Sequence, residues 1–168
     1  MTLRLRSSPE FDGVDPSLKP PCDRLTRLHY VKHGPVQPVD GFVRSADRRS
    51  FCTEWYVRFP WLEYSAAKTA AFCLYCRLFA VDIATSSSGG QVDAAFISGG
   101  FNCWKKALEK GRGFLKHIDS QSHAFTARAY RSFMLAKAKQ QILWRLVPLK
   151  NELEQSQRNC NGTTTSTR

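Results

Sequence analysis

Two cysteines and two histidines are the residues of this chain best spaced for chemistry. Cys73-Leu74-Tyr75-Cys76 is a C-x2-C pair; forty residues intervene before His117, and five further residues separate it from His123. Two thiolates this close reach one ion from a single turn, and two imidazoles six positions apart do the same across a break between helices. Zinc suits such an N2S2 set because it accepts tetrahedral mixed ligation and brings no redox chemistry. The histidine spacing falls in the usual window, although the forty-residue gap is longer than that of a compact finger. A dithiol redox couple or a buried structural pair would also show C-x2-C, but the redox alternative needs a strand–helix–strand context that is missing here. The spacing therefore predicts one structural zinc on Cys73, Cys76, His117 and His123.

The other reactive side chains are less organised. His29 and His33 form H-x3-H with Cys22 nearby, but they sit in a proline-rich stretch, where exposed, incidental histidines are the simpler reading. Cys52 and Cys103 read as small buried hydrophobes, and Cys160 as a free thiol in a tail. No acid pairs with a histidine in a catalytic pattern, and a zinc held by four protein ligands has no open position for water. No enzymatic activity is expected.

Holding four donors together requires elements on either side of the long gap. Trp61–Tyr64 and Thr69–Cys73 read as two short strands joined across Ser65–Lys68, a hairpin that delivers the cysteine pair. Arg77–Val81 reads as an apolar exit, Ser86–Gly90 as a loop, and Ala94–Ile97 as a further strand ended by Gly99-Gly100. Asn102 is a candidate N-cap for a helix over 103–110 that stops at Gly111. Ser120 or Ser122 caps a longer helix to about Leu146, with Pro148 beyond its end and an apolar stripe of Phe125, Ala129, Phe133, Ala136, Leu143 and Val147.

The fold expected is α+β: a small zinc-stabilised domain whose hairpin packs on C-terminal helices, with disordered tails. The division expected is a mostly flexible proline-rich region at 1–47, the zinc domain at 48–125, an amphipathic helix at 126–150 and a disordered tail at 151–168. Thirteen aromatic residues between Phe51 and Phe114 supply its core, with Trp61 and Trp104 as packing residues and Glu63 as a strand-edge charge.

The formal net charge is +11, and residues 101–150 carry 11 bases against 2 acids, so nine of the eleven excess charges fall there. Such concentration suits a polyanion, although a solvated helix face would look the same. No run approaches the roughly 20 apolar residues of a spanning helix, and the N-terminal residues lack the apolar core of a signal peptide. A reducing compartment is the expectation, where six cysteines do not form three disulfides.

Four ordered blocks carry more than spacing. They are Arg49-Ser50-Phe51 through Trp55-Tyr56 to Phe59-Pro60-Trp61-Leu62-Glu63-Tyr64-Ser65, then Ala70-Ala71-Phe72-Cys73-Leu74-Tyr75-Cys76-Arg77-Leu78-Phe79, then Gly100-Phe101-Asn102-Cys103-Trp104-Lys105-Lys106-Ala107, then Phe114, His117, Ser120 and His123. Over about residues 34–135, including the lead-in Gly34-Pro35-Val36-Gln37-Pro38, the chain resembles the TTF-type zinc finger of hAT-superfamily transposases and of host proteins derived from them, including zinc finger MYM-type proteins. The resemblance implies the same four ligands, a nuclear protein, and a DNA-binding finger ahead of a transposase domain. The chain is expected to stop before that domain, as a fragment or a domesticated remnant.

Two roles follow. In the first, a zinc-dependent DNA-binding module engages phosphates through Lys105, Lys106, Lys110, Arg112, Lys116, Arg128 and Arg131. In the second, a zinc-stabilised module binds protein through exposed aromatics. One contiguous positive face would favour the first.

Overall fold

Tight turns and short elements, set by glycine, proline and buried aromatics, shape this chain. The computed structural model describes residues 15–18, 23–84 and 93–161. Residues to Tyr130 form one compact unit, and Arg131 onward forms a second. The fold is α+β, with one two-stranded antiparallel sheet and several helices.

Asp23 caps the first helix, α1 (Arg24–His33), by accepting the Thr26 amide at 2.8 Å. Gly34 ends it, and Tyr30 and Val31 are buried. The lead-in then runs beside the sheet: Tyr64 N donates to the Val36 carbonyl at 2.9 Å, and the Gln37 amide reaches the Leu62 carbonyl at 2.9 Å. Residues 23–37 of the stretch expected to be mostly flexible thus carry a capped helix and a docked strand-like segment. The remainder of that expectation that concerns 1–14 and 19–22, Cys22 included, lies outside the described residues, as do the 85–92 loop and the end of the tail.

A short helix, α2 (Glu54–Arg58), precedes the hairpin of β1 (Leu62–Ser65) and β2 (Ala70–Cys73), whose register pairs Leu62 with Cys73 and Ser65 with Ala70. All eight strand residues are buried, so this small sheet is covered on both faces. Ala71 also exchanges backbone hydrogen bonds with Phe101 (2.7 and 2.9 Å), which lays the Phe101 segment along the free edge of β2. That contact needs glycine before it: a Cβ on Gly100, at φ +83°, would stand 2.6 Å from the Ala70 Cβ.

The core joins Phe51, Phe59, Trp61, Leu62, Tyr64, Phe96, Trp104 and Phe114 with both cysteines of the pair. Trp61 and Trp104 are buried as expected, at 5% and 4% exposure. Glu63 differs from the strand-edge charge expected. It is fully buried and lies 2.5 Å from the Arg77 Nη1, while its other oxygen accepts the Val36 amide at 3.3 Å. The two charges lock the lead-in, β1 and the following helix together, because neither tolerates burial without the other.

That following helix, α3 (Leu74–Ala84), corrects the expected apolar exit at Arg77–Val81, since the chain turns directly from β2 into helix. The strand expected at Ala94–Ile97 is instead a 3-10 turn over Ala94–Phe96, because the Asp93 side chain accepts the Ala95 amide and closes the turn. The helix expected over 103–110 shortens to one 3-10 turn, Trp104–Lys106, with no side-chain cap from Asn102 or Cys103. Its buried residues, Trp104 and Ala107, are three apart, and the Ala107 carbonyl accepts Phe114 N at 2.9 Å instead of continuing a helix. Helix α4 (Gly113–Ile118) follows.

Ser120 starts the last helix, α5 (Gln121–Asn161), by accepting the His123 amide at 3.2 Å. This helix passes through Pro148, where an end was expected before it. Leu146, Leu149, Lys150, Glu152 and Glu154 are good helix formers on both sides, and the missing bond is a single one on an exposed helix. In the second unit its Leu135, Ile142 and Trp144 are exposed. Cys103 is exposed and Cys52 half-buried, so neither is the small core hydrophobe expected.

Candidate metal centre

Cys73 is the last residue of β2 and Cys76 lies in the first turn of α3, so one strand-to-helix corner presents both sulfurs. The Cys76 amide points back at Cys73 Sγ, 3.5 Å away, and the positive end of α3 favours thiolate there. His117 comes from the last turn of α4 and His123 from the first turn of α5. The break between them, at Asp119 and Ser120, lets two rings six residues apart converge.

The four donor atoms lie within 4.8 Å of one another, and all four residues are buried. Cys73 Sγ is 3.5 Å from His123 Nδ1, Cys76 Sγ is 3.5 Å from His117 Nε2 and 3.7 Å from His123 Nδ1, and the two ring nitrogens stand 3.0 Å apart. A tetrahedral ion with zinc–nitrogen and zinc–sulfur bonds of about 2.0–2.3 Å separates its ligands by about 3.3–3.8 Å. The observed separations lie close to that shell. The cluster therefore fits one structural zinc, held by the four residues the sequence singled out; when bound, the ion crosslinks hairpin and helices without an open coordination position.

The metal-free cluster distributes its protons unevenly. Burial pushes the Cys73 thiol up, while the hydrogen bond with Cys73, and next the two imidazoles, hold Cys76 well below the usual thiol range. For His117 burial opposes charge, but the nearby Asp93 carboxylate and the contact with Cys76 outweigh it and raise the ring above its ordinary value.

Surrounding residues fix the donors. Phe96 stacks on His117 at 4.1 Å, and Trp61 packs 5.1 Å from both imidazoles. Thr126 Oγ1 sits 3.2 Å from Cys76 Sγ and donates to the His123 carbonyl. His117 Nδ1 faces Asp93 Oδ2 at 3.8 Å, the side from which an acid orients a ligating ring. Sequence reasoning missed Asp93 and Thr126 because neither belongs to a spaced motif; only the fold brings them to the cluster. His29 and His33 are ring neighbours at 4.3 Å on α1, both exposed, and they form no ligand group with a third donor among the described residues.

Of the seven cations expected to meet phosphate, Lys105, Lys106, Lys110, Arg112 and Lys116 lie exposed in one stretch that ends beside His117, and Arg128 is exposed on α5. Arg131 is exposed in the second unit. No helix among the described residues is long and apolar enough to cross a membrane.

Comparison with known proteins agrees with the metal centre. The chain is similar to zinc finger MYM-type protein 5 of Mus musculus, 34% identical over 90 residues, a match that covers 44% of this chain and 14% of that protein. The chain thus spans a small part of the length of the curated relative it matches. No family model matches it, and no solved structure does. The cluster and the relative together mark a zinc-binding module of zinc-finger character.

Proposed function

We propose that the chain is a non-catalytic, zinc-dependent DNA-binding module. The observation that carries this reading is the distribution of charge around the metal centre. Between Trp104 and His117 five cations are exposed against one acid, Glu109, which pairs only loosely with Arg112 at 3.6 Å. The zinc crosslink would hold this segment on the aromatic core, presenting fixed cations where a flexible loop would lose entropy on binding. The resemblance to transposase-derived fingers and the zinc finger relative support the same reading, and a nuclear location accompanies it.

The experiment is anisotropy of a labelled duplex titrated with the zinc-loaded chain at several salt concentrations. With seven cations on separate phosphates the slope of log K against log salt would reach a limit of about −6, and it is shallower where cations share a phosphate. Binding that ignores salt, or none at low salt, overturns the reading.

A second reading rests on a different observation. The central aromatics, once candidates for a protein interface, are consumed by the core, but Leu135, Ile142 and Trp144 in the second unit are exposed at 71%, 58% and 70%. Leu135 and Ile142, seven residues apart, share one helix face with Trp144 on the opposite side, and exposed apolar surface of that kind suits a protein partner. Deleting residues 131–168 would separate the two: DNA affinity falls modestly under the first reading, and partner capture vanishes under the second.

A further inference from the structure

A cavity of about 410 Å³ opens on the face of the domain behind the metal centre. Its cationic wall is Lys106, Arg112 and Lys116, and its apolar wall is Phe96 and Phe101. The three cations come from different places in the chain: the 3-10 turn after Cys103, the residue before α4, and the second turn of α4. One backbone contact brings them to the same opening. Gly113, at φ +51°, packs so tightly that a Cβ would stand 2.4 Å from the Lys106 carbonyl oxygen and 2.7 Å from that of Ala107. No other residue type lets α4 start against the Lys106 turn.

The remaining charge at the mouth is Asp93, and it is committed elsewhere. One of its oxygens accepts the Ala95 amide at 3.1 Å and the other faces His117 Nδ1 at 3.8 Å. The aromatic wall is rigid: Phe96 and Phe101 stack at 5.3 Å with an interplanar angle of 11°, and Phe96 stacks in turn on the ligand His117. The cavity wall and the wall of the metal centre are therefore the same ring. Three cations lining one opening beside an apolar surface, in a cavity of nucleotide size, match the chemistry of a phosphate ester carrying a nucleoside.

Resting on the DNA-binding reading, we propose that this cavity is a subsite for a single phosphate group of the bound strand. Lys106, Arg112 and Lys116 grip that phosphate together, and the adjoining nucleoside lies against Phe101.

Two probes test this on the full zinc-loaded chain. In amide-resolved NMR, thymidine 5′-monophosphate shifts Lys106, Gly111, Arg112 and Gly113, and thymidine does not; absence of these shifts overturns the subsite whatever the DNA result. In duplex titrations the variant Lys106→Gln/Arg112→Gln/Lys116→Gln, with zinc content checked at one equivalent, binds about tenfold more weakly or worse, and its salt slope flattens by about 1, because one phosphate contact is lost. Flattening by about 3 would mean three separate phosphates and would overturn the shared subsite. Unchanged duplex binding by the variant overturns the subsite and leaves the DNA-binding reading standing. Should the wild type fail to bind duplex yet show the monophosphate shifts, the cavity stands as a nucleotide-phosphate site, while the DNA-binding reading and the bound strand as its occupant are overturned. If the triple variant loses its zinc, the wild-type monophosphate shifts decide alone.

Discussion

His117 presents Nε2 and His123 presents Nδ1, and the two nitrogens stand 3.0 Å apart although their rings leave different helices. Opposite edges of two imidazoles converge because the chain breaks between α4 and α5, with Ser120 closing the new helix on the His123 amide. With Cys76 Sγ 3.5 and 3.7 Å from these nitrogens, Cys73 Sγ 3.5 Å from that of His123, and all four donors within 4.8 Å of one another, they share one centre.

Metal and fold should therefore be one equilibrium. The purified chain is expected to carry one zinc, and a strong chelator to abolish its far-UV signature, since structural zinc contributes about 10–16 kcal/mol at neutral pH. Cys73→Ser and His123→Ala should behave like the chelated protein. Retention of native signal and of one zinc equivalent by either variant would show that the ligands lie elsewhere.

Acid should release the ion. Zinc needs two thiolates and two neutral imidazole nitrogens, so protons compete at all four donors, and metal-loaded stability must fall as pH falls. The fall begins in the ordinary thiol range, about pH 8.5, where cysteines of the metal-free chain take up protons, and steepens as histidines join at lower pH. Zinc release followed with a chromogenic chelator across a pH series measures this; release that grows toward alkaline pH would contradict the donor set.

The Glu63–Arg77 pair predicts an asymmetry between single and double substitutions. Glu63→Ala leaves the Arg77 guanidinium buried and uncompensated, an expected loss of about 3–5 kcal/mol, whereas Glu63→Met with Arg77→Met should restore most of it. Denaturant unfolding of the zinc-loaded variants checks both. A Glu63→Ala loss below about 1 kcal/mol would place the pair in the class of exposed ion pairs.

Gly113→Ala should cost about 1–2 kcal/mol from the left-handed backbone alone. The contact with the Lys106 carbonyl adds to that, because the clash is with backbone that cannot rotate away. Thermal unfolding measures the total. A milder replacement on the same footing is Gly111→Ala, where φ is +70° but nothing lies within 4 Å of the added carbon.

The sequence by itself determined the donor set, the hairpin that carries the cysteines and the aromatic core, because each is written in residue type and short spacing. Cys73 and Cys76 define a corner, short apolar and aromatic runs on either side of Ser65–Lys68 mark the two strands, and large rings have few places to go but inside. Only the tertiary structure decided what holds these parts in place. The Glu63–Arg77 pair, the Asp93 and Thr126 contacts to the ligands, and the cavity beneath Lys106, Arg112 and Lys116 join residues from separate segments. Local reading also misjudged the elements at 94–97 and 103–110, where short apolar runs have no preference strong enough to choose between strand, helix and turn. There an Asp93 cap and the burial of Trp104 and Ala107 made the choice, and both depend on the core that surrounds them.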